Sequence, residues 1–161
     1  MILTFNKFLQ MIIAALFLMV FTFCTWYEGS EILDRPWEWE YSTHFTQVNA
    51  DQAMDADDIS NFDYLVYAAK FKPLFPFLMV LAASYLIILT GYILFKRSIK
   101  KMALFLLGLG VLFLLSSGFV SNSPTVGGNI FQSFFLIGGM IAILSAALYY
   151  FRIPTGFHTE I

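Results

Sequence analysis

Asp51, Asp55, Asp57, Asp58 and Asp63 bring five carboxylates into one short stretch, and clustered oxygen donors are the raw material of a divalent-cation site. A calcium-binding helical-hand loop also needs a central glycine and a terminal glutamate at fixed spacing, and neither is in place. His44, near Glu38 and Glu40, could ligate a metal or carry a proton, but one histidine without a second positioned ligand defines no site. No metalloprotease, P-loop, nucleophile-elbow or paired-cysteine pattern occurs. The one cysteine, Cys24, permits no intrachain disulfide and excludes dithiol redox chemistry. The sequence therefore assigns no catalytic, cofactor-binding or metal residue and points to a non-enzyme. Its acids read as a solvated run with a helix N-terminal bias.

These groups sit between apolar runs that must position them. Runs at about Phe8 to Trp26, Leu74 to Phe95, Met102 to Val120 and Ile130 to Phe151 are each long enough to span a membrane, since roughly 20 helical residues cross a hydrocarbon core of about 30 Å. The expected fold is all-α: four transmembrane helices in an antiparallel bundle, with a small extracytoplasmic domain made of a short β segment and an interfacial helix. The spans are expected at 1–27, 73–95, 102–120 and 130–151. Between them lie the acidic, aromatic outer domain (28–72), a basic cytoplasmic loop (96–101) and a short outer loop (121–129), and a cytoplasmic tail (152–161) follows. The first run lacks small residues where a signal peptidase would cut, because Phe21-Thr-Phe23 precedes Cys24, so it reads as an uncleaved helix ending in aromatic anchors.

Charge sets the expected orientation. Lys7, Lys96, Arg97, Lys100, Lys101 and Arg152 fall on one side of the alternating spans, opposed there only by Glu160. Arg35, Lys70 and Lys72 fall on the other with ten acids. The richer basic side belongs in the cytoplasm, which puts both termini inside and the acidic segment outside. The net charge of −2 thus conceals +5 inside and −7 outside. Nucleic acid is excluded as a partner, because the basic loop is adequately explained as a topological anchor.

Within the outer domain, Trp37 to Phe45 alternate strictly, which would place Trp37, Trp39 and Tyr41 on one face of a strand and Glu38 and Glu40 on the other. Alternatively the segment is irregular and its aromatics rest on lipid headgroups. In the strand reading the aromatic face is buried and the acids face water, making Glu38, Glu40, Asp57 and Asp58 the candidate partner-binding residues, with Trp37, Trp39 and Tyr41 as packing residues. Ser60-Asn-Phe-Asp63 resembles a capping box opening a helix that carries Phe62, Leu65, Val66 and Ala69 at helical spacing.

No ionisable residue lies inside a span, which speaks against a proton-coupled pump. Ser84, Thr90, Ser116, Ser117, Gln132, Ser133 and Ser145 could line a pore, although hydroxyls in membrane helices commonly bond backbone instead. Gly138, Ala142 and Ala146 recur every four residues, a candidate face for close helix packing or for a second copy of the chain, and Gly108, Gly110 and Gly118 thin the preceding span.

Trp26-Tyr-Glu-Gly-Ser30, Trp37-Glu-Trp-Glu-Tyr-Ser42 and Asp63-Tyr-Leu-Val-Tyr-Ala-Ala-Lys70 resemble the pattern of a family of small bacterial integral membrane proteins of unknown function. The likeness covers roughly the first 95 residues. It implies a bacterial cytoplasmic membrane and carries no activity. The expected role is an accessory or interaction protein of the cell envelope, touching membrane lipid and meeting a protein partner through the outer domain. A small transporter or channel-like protein is the alternative.

Overall fold

The computed structural model describes residues 2–43, 45–46 and 58–151. The described residues are helical with no strand: α1 (Ile2–Gly29), two 3-10 turns (Ser30–Asp34 and Pro36–Glu38), α2 (Trp39–Ser42), α3 (Asn61–Phe71), α4 (Leu74–Phe95), α5 (Ile99–Val120) and α6 (Val126–Phe151). Four helical stretches, Asn6–Asp34, Leu74–Phe95, Ile99–Val120 and Val126–Phe151, are long and apolar enough to cross a membrane. Helices start earlier than hydropathy alone suggests. Lys100, Lys101 and residues 126–129 are already helical, because polar residues and glycine at a helix end do not prevent the first turn from forming.

The β segment expected at 37–45 is not formed. Pro36 occupies the first position of a 3-10 turn and the chain continues directly into α2. Proline has its φ pre-set for a helical start, whereas a strand needs a ladder partner to satisfy its backbone. The local turns meet that need without a second strand: Glu38 N–H donates to Arg35 O at 3.0 Å and Thr43 N–H to Trp39 O at 3.0 Å. The alternation was real, but its period is not the one the backbone adopted.

The chain forms two compact units, Met1–Leu86 with Pro124–Gly128, and Ile87–Ser123 with Asn129–Ile161. In the first, α3 lies against α1 so closely that a Cβ on Gly29 would overlap the Tyr64 carbonyl. The first turn of α6 meets the other end of α3, where a Cβ on Gly127 would overlap the Ala69 carbonyl and come within 2.9 Å of Lys70 O. α3 is thus gripped by two glycines, one from each side of the chain. Only the absence of a side chain lets backbone approach backbone in this way.

In the second unit, α5 and α6 cross at Gly110 and Gly139: a Cβ on either would stand 3.0 Å from the other's carbonyl oxygen. Of the expected stripe, Ala142 and Ala146 are buried, Ala146 joins Met102 and Leu106 in a small apolar core, and Gly138 meets the Phe113 ring. That face is therefore occupied by α5 of the same chain. Gly108 and Gly118, read as thinning the third span, face open space with no atom within 4 Å of a Cβ. Phe113 packs tilted against Phe134 and edge-on to Phe135, with centroids 6.0 and 5.6 Å away.

Candidate functional site

The segment between α1 and α4 is built on a short apolar core of Ile32, Ile59 and Tyr67, with Leu33, Trp39 and Tyr64 packed against it. Trp39 supplies both area and direction, since its indole N–H donates to Ile32 O at 2.8 Å and ties α2 to the turn after α1. Tyr67 is almost fully buried. Burial, and then the adjoining Glu38 carboxylate, push its hydroxyl above the usual tyrosine range.

Around this core runs a charge network. Arg35 Nη2 donates to Glu31 Oε1 at 2.7 Å and Arg35 Nη1 reaches Glu38 Oε1 at 3.5 Å. Lys72, from just beyond α3, pairs with the second oxygen of Glu31. Arg35 and Lys72 are thereby engaged by Glu31 and Glu38, and burial lowers the pKa of Lys70.

Asp63 is the second organising group. Fully buried in the first turn of α3, it accepts Phe45 N–H at 2.9 Å, Thr46 N–H at 3.1 Å and the Thr46 hydroxyl at 2.6 Å. Ser60 N–H in turn donates to the Thr46 hydroxyl oxygen at 3.0 Å, and the Ser60 hydroxyl caps Phe62 N–H at 3.3 Å. The capping box read from Ser60 and Asp63 is therefore closed through a third residue. Glutamate can reach back to the cap N–H directly, but the shorter aspartate instead binds a segment from elsewhere in the chain.

The expected faces of the 37–42 segment are partly exchanged. Trp39 packs inward, but Trp37 is 70% exposed, and Glu38 turns inward with its side chain only 19% exposed. A helical turn rather than a two-residue period explains this: residues 37 and 38 are neighbours around an axis, not opposite faces of a ribbon. Glu40 and Asp58 are exposed. Asp57, His44, Asp51 and Asp55 lie outside the described residues, as do Arg152, His158 and the side chain of Tyr41. Sequence reasoning missed Glu31, Arg35, Tyr67 and the hub role of Asp63. Only the four-residue spacing of Glu31 and Arg35 was visible as a signal.

No group of three or more His, Cys, Asp or Glu among the described residues is placed to hold a metal ion. An apolar groove of about 520 Å³ runs along α1 and α4 past Ala14, Phe17, Leu78 and Ala82. Its polar members bond to one another, Tyr85 O–H donating to Gln10 Oε1 at 3.4 Å. That leaves little convergent polarity to orient a small ligand.

The architecture defines a helical protein of membrane-spanning type with a small, internally braced domain joined to its first two long helices. The chain belongs to the family described as Domain of unknown function (DUF4306), whose pattern matches residues 8–95. It is 31% identical over 88 residues to the uncharacterized protein YjdJ of Bacillus subtilis (strain 168), covering 52% of this chain and 79% of that one. No solved structure matches the chain. α5 and α6 lie beyond the family pattern, yet Gly127 of α6 reaches back to α3 within it.

Proposed function

We propose that this is a non-enzymatic accessory protein of the bacterial cytoplasmic membrane, with both termini in the cytoplasm and an outer domain that presents a fixed surface to another envelope component. One observation carries the reading: among the described residues, Glu31, Glu38, Arg35 and Lys72 are committed to one another and Asp63 to Phe45 and Thr46, which braces the domain, while Trp37 is held out exposed. Bracing of this kind suits a recognition platform, because a pre-ordered surface loses little entropy on binding. The basic residues on the side of the termini support the orientation, and the Bacillus subtilis relative supports a bacterial membrane.

The channel-like reading draws less support. Ser84 and Ser116 donate to their own helices, at Val80 O and Leu112 O, and Ser117 donates to Gln132 O of α6, so these hydroxyls serve backbone rather than a pore. The test is purification of the tagged full-length chain from native membranes after cross-linking on the outer side. One defined partner, recovered in fixed proportion and lost when residues 28–72 are replaced, is expected. Recovery of no such partner, with ion flux in reconstituted vesicles, would overturn the assignment.

A further inference from the structure

Among the exposed aromatics of the outer domain, Phe45 and Phe62 rest on each other with ring centroids 5.7 Å apart, whereas Trp37 stands clear of the core. Trp37 is 70% exposed, and Glu40, one helical turn further on, is exposed as well. Residues three apart in such turns share a face. Asp34, at the end of the preceding 3-10 turn, is also exposed. The indole is therefore flanked along the chain by two exposed carboxylates, while Arg35, the cation nearest in sequence, is drawn away to Glu31 and Glu38.

We infer that the Trp37 face, with Asp34 and Glu40, is a docking surface for a basic protein segment, an arginine or lysine side chain stacking on the indole while the carboxylates hold its charge. This deepens the accessory-protein reading and rests on it. Charge complementarity selects the occupant: the outer segment carries ten acids against three bases, two of those bases are engaged internally, and the face of an indole attracts cations, arginine most often. The same charge argues against the membrane surface as the occupant, since carboxylates are repelled by anionic lipid headgroups. Aromatic anchors ringed by polar groups are the residues that dominate protein interfaces.

The experiment uses the full chain in nanodiscs of zwitterionic lipid, titrated with an acetylated hexa-arginine peptide as the probe. Binding that weakens with added salt is expected. Trp37→Ala should weaken it about two- to fivefold, the range of an exposed cation–π contact, and Trp37→Phe should keep most of it. Asp34→Asn should weaken it more than Asp58→Asn, which removes the same charge elsewhere on the domain. Equal losses for Trp37→Ala and Asp58→Asn, or no binding by the native chain, would overturn the site. Either result would leave a partner recovered from native membranes unaffected, so failure of this surface is distinguishable from failure of the accessory role.

Discussion

The small domain between α1 and α4 and the α5–α6 pair are both helical, but they are held by opposite means. Between α5 and α6 the fit is steric: Gly110 and Gly139 let the backbones meet, and Ala142, Ala146 and the Phe113 cluster fill the seam. In the small domain the fit is directional, carried by Asp63, the Glu31 ion pairs and the Trp39 indole around a core of three buried residues. The difference follows from the surroundings. Lipid supplies no hydrophobic drive between apolar helices, so close packing of small residues decides. A small domain buries too little apolar area to hold itself, so directed polar contacts must complete the fold.

The sharpest way to break that contrast is at Asp63. Asp63→Ala strands two backbone N–H groups and a hydroxyl in a part-buried place, and the expected cost is about 3 kcal/mol, read as a lowered midpoint in thermal unfolding of the detergent-solubilised chain. A loss under about 1 kcal/mol would mean that water replaces the carboxylate and that the domain is not held by directed bonds. Next in size are the glycines. Gly127→Leu and Gly139→Leu each force a side chain against a backbone carbonyl and should cost roughly 2 to 3 kcal/mol, whereas Gly118→Leu, facing open space, should change stability little. If the three variants melt together, the glycine contacts are not what sets the helix spacing.

Trp39 and Trp37 test the exchanged faces. Trp39→Ala removes core area and the bond to Ile32 and should cost about 2 kcal/mol; Trp37→Ala should stay within about 0.5 kcal/mol, as expected of an exposed site. The reverse order in the same melting assay would restore the strand-like arrangement. The smallest effect is a pH dependence at Tyr67. Its folded-state pKa is raised above the ordinary 10.0, so above that pH the unfolded chain has released a proton that the folded chain still holds. Stability contributed by the neutral hydroxyl is present below about pH 10 and lost as pH climbs toward the folded value. Burial of Lys70 acts in the opposite sense, so the informative quantity is the difference between the native chain and Tyr67→Phe, which should narrow between about pH 10 and 11. A difference that stays constant across that range would place Tyr67 outside the linkage.

The pattern of what could be foreseen matches the same division. Four apolar stretches, their lengths, and the separation of basic from acidic residues are properties of local composition, and hydropathy reports them without knowledge of any partner. The small-residue positions at 138, 142 and 146 were legible for the same reason, a helical period on one element. Whether such a face meets another helix of the chain was not legible, and neither was the closer crossing at Gly110 and Gly139, because both depend on how two helices are rotated about their axes.

The small domain between α1 and α4 was decided by tertiary contacts. An alternating run of Trp37 to Phe45 favours a strand only if another strand is there to accept its hydrogen bonds, and no local property of the sequence says that none is. Once Pro36 starts a turn and Trp39 finds the Ile32 carbonyl, the backbone closes on itself and the two-residue period no longer governs which side chains face inward. Asp63 shows the same limit from the other direction: its spacing from Ser60 announced a helix start, but its bonds go to Phe45 and Thr46, 18 and 17 residues earlier in the chain. Composition and periodicity determined which segments could enter a membrane, because that depends on each residue's own transfer free energy. Which tryptophan is buried and which stands in solvent depended on partners distant in sequence, and only the folded chain brings those together.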